Sequence, residues 1–194
     1  KVVQQIRDEG GRALFVRCDV TRRADCEDAT RLAEETFGRL DILVNNAGII
    51  RRATVLDTTE EEWDRAMAVN VKSIFLMSKH AIPLMAQAGG GAIVNTGSGW
   101  GLVGGRNAVS YCASKGAAVN MTRAMALDHA SQNIRVNCVC PGDTDTGMLC
   151  IEAQQLGAST EAFLADAADR PLRRIGKPED VAQAVLYLTS DASS

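Results

Sequence analysis

The sequence predicts an α/β protein with a mostly parallel, doubly wound sheet that carries helices on both faces. Three observations lead to this fold class: short apolar runs, segments of helical spacing between them, and polar or glycine-rich residues where the runs end. Strands without polar alternation that are separated by helices indicate a parallel sheet covered on both sides. In such sheets, ligands bind outside the carboxyl ends of the strands.

Four short apolar runs are predicted to form the strands. They cover residues 13–18, 41–45, 92–96 and 134–140. Each run is bounded by glycine, proline, asparagine or aspartate, which are typical of the turns at strand ends. Because polar segments follow these runs, we expect the functional site at the carboxyl edge of the sheet.

Five segments have the apolar spacing of amphipathic helices. They cover residues 1–8, 21–37, 59–88, 110–129 and 178–188. Thr21 is placed to cap the second helix, and Thr59 with Glu62 fits a capping box at the start of the third. Pro83 is expected to kink or divide that third helix, whereas Pro178 suits the first position of the last one.

Length and composition exclude several classes of protein. The chain has 194 residues, of which 46% are hydrophobic and 23% charged, and its net charge is −3. These values are ordinary for a globular protein and indicate one domain over residues 1–194. No apolar run is long enough for a membrane span, and the arginine pairs are scattered. We therefore expect no membrane partner and no nucleic-acid partner.

The cysteines and histidines do not indicate a metal site. His80 and His129 each stand alone in a helical pattern, without a cysteine or carboxylate at metal-ligand spacing. Cys138 and Cys140 share one face of a predicted strand, and no secretory signal opens the chain. Free thiols are typical of reducing compartments, so the sequence predicts a cytoplasmic protein without a metal ion.

Tyr111 and Lys115 are the first candidates for catalysis. They are four residues apart at the start of a predicted helix, which places both side chains on one face. The pKa of a free tyrosine is roughly 10, which is too high for ready proton exchange at neutral pH. A neighbouring ammonium group would lower that pKa. The same spacing is common on solvated helix faces, so the pair alone leaves both interpretations open.

Ser98 and the segment 45–48 follow two predicted strands and would lie at the same edge as Tyr111. A serine hydroxyl at this place can hydrogen-bond the oxygen of an alcohol or ketone while Tyr111 moves the proton. The Asn-Asn-Ala-Gly sequence of residues 45–48 offers amide donors and acceptors, and its small residues let a flat ligand approach the main chain. Each segment alone is equally compatible with an ordinary turn.

Together these residues resemble the short-chain dehydrogenase/reductase family. The resemblance covers essentially the whole chain and rests on six features in order, which are Asp19-Val20, Asn45-Asn46-Ala47-Gly48, Asn70, Ser98, Tyr111 with Lys115, and Pro141-Gly142. It implies a Rossmann-like fold and an oxidoreductase that interconverts a secondary alcohol and a ketone with NAD or NADP. In appearance the chain is most similar to 3-oxoacyl-carrier-protein reductases and to sugar or polyol dehydrogenases.

The resemblance implies a role for each matched position. Tyr111 would be the catalytic acid and base, Ser98 would orient the substrate oxygen, and Lys115 would hold the ribose hydroxyls and lower the pKa of Tyr111. Asn70 would stabilise a helix kink and hold a water molecule that relays protons to Lys115. The other cofactor-binding positions would be Asp19, Val20, Asn46, Ala47, Gly48, Pro141, Gly142, Thr144 and Thr146. At Thr144 the family usually has valine or isoleucine.

The substrate would be a small alcohol or ketone. The positions expected to contact it are Ser98, Trp100, Tyr111 and Gly142. Trp100 and Met148 favour an apolar or ring-containing molecule, and Arg106 could meet an anion or lie solvated in its loop. Residues 142–177, which would surround the carbonyl, are predicted to be irregular with short helical pieces.

Two parts of the family pattern are expected to be absent from this chain. The family's first strand, its glycine-rich loop, a helix and a second strand would precede Lys1, and its final strand would follow Ser194. That loop cradles the pyrophosphate of the cofactor. The sequence therefore predicts a domain that is truncated at both ends, lacking the first βαβ unit and the last strand. We expect these residues alone neither to fold stably nor to bind a dinucleotide.

Two other functions and one assembly follow from the same observations. The chain could be a catalytically silent dinucleotide-binding or regulatory module, or a truncated isoform that binds no cofactor. The presence of Asn70, Ser98, Tyr111 and Lys115 favours the enzyme. Methionines and alanines on a second face of the helices near 69–85 and 111–129 predict a homo-oligomer, either a tetramer or a dimer, unless they only fill the core.

Overall fold

Three parallel strands form the centre of the protein, in the order β1, β2, β3. The computed structural model describes residues 1–194, with β1 at Ile42–Asn45, β2 at Gly91–Thr96 and β3 at Ile134–Val139. Both pairings are parallel. The carboxyl ends of all three strands therefore meet at one edge of the sheet, and the loops that follow them lie side by side.

Eight α-helices are arranged around this sheet. They are α1 Val2–Asp8, α2 Arg23–Phe37, α3 Glu60–Met67, α4 Ser73–Gln87, α5 Val109–His129, α6 Gly147–Gln155, α7 Thr160–Ala167 and α8 Pro178–Thr189. A π-helical turn, Ala68–Lys72, joins α3 to α4, and a short 3-10 turn, Gly99–Gly101, follows β2. None of the helices has both the length and the apolar character needed to cross a membrane.

One face of the sheet packs against α4 and α5. Leu43, Ile93 and Val136 lie in register on this face and are buried, together with Ala81 and Met85 of α4. Each apolar side chain of this size stabilises the fold by about 1.5–3 kcal/mol when it is fully buried. This layer is therefore the hydrophobic core that holds the strands in register.

The opposite face packs against α8 over β2 and β3. Val94 is fully buried there, whereas Val44 of β1 remains half exposed. Arg135 of β3 fastens the end of α8, because its guanidinium donates to the carbonyls of Leu188 and Ser190 at 2.8 and 3.1 Å. Helices thus cover both faces of a parallel sheet, which confirms the predicted fold class.

Three polar side chains link β1, β2 and α5 through the interior. The Asn45 amide donates to Asn95 Oδ1 at 2.8 Å, and the Asn95 amide donates to Thr122 Oγ1 at 2.8 Å. Asn95 is fully buried, so its polar atoms have no access to water. The network fixes the position of α5 relative to the strand ends.

Two of the predicted helix starts are confirmed. Thr59 Oγ1 accepts from the Glu62 N–H at 3.2 Å and the Glu62 carboxylate accepts from the Thr59 N–H at 3.3 Å, which is the expected capping box. Pro178 occupies the beginning of α8. The prediction that Pro83 divides the long helix is wrong, because the buried face of α4 carries it through this residue. The interruption is the π-helical turn before Ser73.

The prediction of a strand at residues 13–18 is wrong. The segment has no regular secondary structure, and Phe15 is 77% exposed. No strand lies beside it, so its backbone has no ladder of hydrogen bonds to join. Thr21 does not cap α2 either, since its hydroxyl donates to Asp19 and the helix begins only at Arg23.

Replacing Asn95 should destabilise the protein. We expect Asn95→Ala to lower the free energy of unfolding by about 1–3 kcal/mol, because it leaves the buried Asn45 amide and the Thr122 hydroxyl without their partner. Urea denaturation followed by circular dichroism measures the change. Asn120→Ala, on the exposed side of α5, is the matched control. An equal loss in both variants would show that the network contributes nothing specific.

Candidate active site

A cleft of about 1520 Å³ opens at the carboxyl ends of the strands. Segments that follow β1, β2 and β3 line it, together with α6 and α8. The structure brings ten of the predicted site residues to its wall: Asn46, Gly48, Ser98, Trp100, Tyr111, Lys115, Pro141, Gly142, Thr144 and Thr146. The edge of the sheet that the sequence analysis selected is thus the edge that carries the cleft.

Four predicted site residues lie away from the wall of the cleft. Asp19 is exposed, and its carboxylate accepts from the backbone and hydroxyl of Thr21 at 3.0 and 2.7 Å. Val20 and Ala47 do not line the cleft either. Asn70 is buried behind the wall. The roles of Asp19, Val20 and Ala47 toward a cofactor stay predictions.

Tyr111 lies in the first turn of α5, where its side chain is largely enclosed. Only 8% of the residue is exposed, and its ring meets the Trp100 ring almost perpendicularly, at 82° with 6.2 Å between the centroids. Burial raises the pKa of the Tyr111 phenol above its ordinary value, and the nearby Ser98 hydroxyl opposes this rise. The phenol is therefore held in its protonated form.

Lys115 is a buried amine beneath the loop that follows β1. Its Nζ donates to the Thr96 carbonyl at 2.6 Å, and a Cβ at Gly48 would come within 3.3 Å of it. Burial lowers the pKa of Lys115. The expectation that Lys115 lowers the pKa of Tyr111 is not met, since Nζ is 5.7 Å from the centre of the Tyr111 ring and the burial of the phenol dominates.

Asn70 occupies the π-helical turn between α3 and α4. Its side-chain amide closes a two-way contact with Ile49, accepting from the backbone N–H at 2.9 Å and donating to the carbonyl at 2.9 Å. It also donates to Ser114 Oγ at 2.9 Å. Asn70 therefore ties the loop after β1 to α5 at an irregular point of the helix. The proton relay through a water molecule stays a prediction.

Ser98 follows β2 and begins the short 3-10 turn. Its Oγ accepts from the Trp100 N–H at 3.2 Å, which leaves the hydroxyl proton available to the cleft. The residue before it must be small, because a Cβ at Gly97 would lie 2.7 Å from the Cys138 sulfur. This close approach of β2 and β3 sets the position from which Ser98 faces Tyr111.

The sequence analysis missed an ion pair at the cleft. Arg52 Nη1 lies 2.7 Å from Glu152 Oε2, and only 10% and 8% of the two side chains are exposed. Glu152 lines the cleft. The two residues are 100 positions apart, so no local spacing could indicate that they meet. The only signal in the sequence is a single carboxylate within the otherwise apolar start of α6.

Comparisons with known proteins agree with the geometry of the cleft. The sequence model of the family described as enoyl-(acyl carrier protein) reductase matches residues 1–194. The chain is 48% identical over 179 residues to 2-(S)-hydroxypropyl-CoM dehydrogenase 3 of Xanthobacter autotrophicus, covering 91% of this chain and 69% of that protein. It is 44% identical over 194 residues to cyclopentanol dehydrogenase of Comamonas sp., covering 100% of this chain and 76% of that protein.

A solved structure shows the same architecture. The crystal structure of a short-chain type dehydrogenase/reductase from Mycobacterium marinum superposes with a TM-score of 0.90 at 36% identity, covering 99% of this chain and 74% of that one. The family match, the sequence identities and this superposition each span nearly the whole chain. The chain therefore belongs to the short-chain dehydrogenase/reductase family, whose dehydrogenases use NAD or NADP.

Proposed function

We propose that the protein interconverts a secondary alcohol and a ketone, with Tyr111 as the acid and base. The observation that carries this proposal is the convergence of Ser98, Tyr111 and Lys115 on one cleft at the strand ends. The three residues come from β2 and α5, and Asn95 fixes those elements relative to each other. Two hydroxyls and a buried amine at one place suit proton transfer to and from a substrate oxygen.

The residues of the chain divide the work of proton transfer. Ser98 and Tyr111 hydrogen-bond the substrate oxygen from two directions, so that the carbon to be reduced or oxidised faces the open cleft. In ketone reduction Tyr111 donates its proton to the developing alkoxide, and in alcohol oxidation the phenolate takes the proton back. The raised pKa of Tyr111 makes the protonated form the resting state of the cleft.

The residues around Lys115 fit a nicotinamide dinucleotide. The Lys115 ammonium has three donors, and the Thr96 carbonyl accepts one of them. Gly48 and Gly142 leave the wall beside it without side chains, which a flat ring and a ribose require. When bound, the nicotinamide supplies or takes the hydride. Lys115 would hold the ribose hydroxyls, with Asn46, Thr144 and Thr146 along the same wall.

The walls near Tyr111 favour a substrate with an apolar body. The apolar residues that line this part of the cleft are Ile50, Trp100, Val103, Met148, Leu149 and Leu172. The name of the Comamonas relative, cyclopentanol dehydrogenase, gives a cyclic secondary alcohol as a substrate of this chemistry. We propose a secondary alcohol with an aliphatic or cyclic body, used with either dinucleotide.

We further propose a cytoplasmic homo-oligomer, either a tetramer or a dimer. All six cysteines are free thiols, which suits a reducing compartment. Phe75 of α4 and Leu127 of α5 are 49% and 83% exposed on the outer faces of the two long helices. Large apolar side chains on adjacent helices are typical of surfaces that pair with a second copy.

Removing the Tyr111 hydroxyl should abolish most of the activity. We expect Tyr111→Phe to lower turnover at least about 10²-fold, because a positioned proton donor contributes that much. Dinucleotide binding, followed by fluorescence titration, should change little. The measurement is turnover on a panel of secondary alcohols with NAD and NADP, and Tyr187→Phe is the control. Near-normal turnover of Tyr111→Phe would remove this residue from the mechanism.

The Tyr111 phenol should titrate at high pH. In a Tyr187→Phe background, where Tyr111 is the only tyrosine, ultraviolet absorbance should show its ionisation with a pKa above the ordinary value of 10.0. Because the Ser98 hydroxyl lowers that pKa, Ser98→Ala should move the transition to still higher pH. A transition that begins below neutral pH, or one that Ser98→Ala moves downward, would contradict the electrostatics of the cleft.

The exposed faces of α4 and α5 should mediate self-association. Light scattering of the full-length protein at micromolar concentration is expected to give the mass of a dimer or tetramer. Leu127→Glu should reduce that mass, since it places a charge in the apolar contact. Leu56→Glu, which changes an exposed leucine far from both helices, is the control. A monomeric mass for the unmodified protein would exclude this assembly.

A further inference from the structure

The proposed reaction leaves Arg52 and Glu152 without a role, although both side chains are almost entirely buried beside the cleft. Arg52 joins three segments that are distant in sequence. Its Nη1 lies 2.7 Å from Glu152 Oε2 on α6, and its Nη2 donates to the Arg106 carbonyl at 3.1 Å in the loop before α5. Its backbone N–H donates to Gln155 Oε1 at 2.7 Å, also on α6.

Burying this ion pair is energetically unfavourable unless it serves a geometric purpose. Taking two charges out of water costs several kcal/mol per ion, and well-packed apolar residues are often at least as stable. The burial is costly here as well, since Arg52 Nε has no hydrogen-bond partner and the pKa of Glu152 is raised by burial against the opposing effect of Arg52. Stability alone therefore gives little reason for the pair.

The Trp100 ring is held between Arg52 and Gly105. The Arg52 guanidinium carbon lies 4.9 Å from the centre of the Trp100 ring, which is within the range of a cation–π interaction. On Gly105 a Cβ would come within 2.5 Å of the same ring, so only glycine permits this contact. The ring is thereby fixed in its perpendicular contact with Tyr111.

We propose that Arg52 is a positioning residue for the Tyr111 phenol, acting through Trp100, and that Glu152 is its anchor on α6. The cation holds the Trp100 ring, the ring holds the edge of Tyr111, and the ion pair keeps α6 against the loop that follows β1. One side chain thus couples closure of the substrate wall to alignment of the proton donor. The inference rests on the proposed function of Tyr111, but the placement of Trp100 can be tested without turnover.

Arg51 provides a matched control in the neighbouring position. It forms an ion pair of similar length, with Nε 2.6 Å from Glu62 Oε1, but 38% and 32% of those side chains are exposed and the pair faces α3. Arg51→Met and Arg52→Met therefore remove the same group from adjacent residues. Only the second removes the cation over Trp100.

The kinetic test separates positioning from stability. Arg52→Met leaves the Glu152 carboxylate buried and unpaired, so the double variant R52M/E152Q is made beside it to keep the fold intact. We expect R52M/E152Q to unfold near the temperature of the parent, to bind dinucleotide within about twofold of it, and to lose roughly tenfold in kcat through misalignment. Arg52→Lys, which retains a cation, should recover part of that loss, and Arg51→Met should retain kcat.

The fluorescence test follows Trp100 directly. The sequence contains two tryptophans, so Trp63→Phe leaves Trp100 as the single reporter. In this background acrylamide should quench R52M/E152Q at least about twofold more strongly than the parent or Arg51→Met, because the ring loses one of its two supports. R52M/E152Q indistinguishable from Arg51→Met in both quenching and kcat would overturn the proposal. Increased quenching in a parent protein without turnover would refute the proposed function and leave the placement of Trp100 by Arg52 in force.

Discussion

The buried amine of Lys115 is the constraint on which the cleft depends. An ammonium group that is 97% enclosed must find hydrogen-bond acceptors inside the protein, and the Thr96 carbonyl at the end of β2 supplies one at 2.6 Å. This bond is possible only if α5 crosses the end of β2 at the present height. Gly48 must then lack a side chain, because its Cα lies directly over the amine. The loop after β1, the end of β2 and α5 are thus fitted to one charged atom.

The polar contacts behind the cleft preserve this arrangement. Asn95 holds α5 on the sheet through Thr122, and Asn70 holds the loop after β1 on α5 through Ile49 and Ser114. All of these polar groups are shielded from water, so each lost contact would leave a buried donor or acceptor unpaired. The π-helical turn at Asn70 shows what this requires, since the backbone gives up regular helix geometry in order to place one side-chain amide.

The elements that the sequence predicted well are those that local patterns determine. The capping box of Thr59 and Glu62, the proline at the start of α8 and the runs of β1, β2 and β3 all depend on residues close together in the chain. Residues 13–18 have the pattern of a strand but no neighbouring strand, and pattern alone cannot supply a partner. Arg52 and Glu152 were missed for the opposite reason, since their contact is entirely tertiary.

The electrostatics of Tyr111 and Lys115 differ from what their spacing suggested, and the difference matters for the chemistry. Burial favours the neutral form of each group, so it raises the pKa of the phenol and lowers that of the amine. A phenolate in this cleft therefore needs more positive charge than Lys115 alone provides at 5.7 Å from the ring centre. Any cation brought close to Tyr111 would oppose the effect of burial. The phenol consequently remains protonated in the free cleft and ionises readily only in a cleft whose charge has changed, which links proton transfer to occupancy.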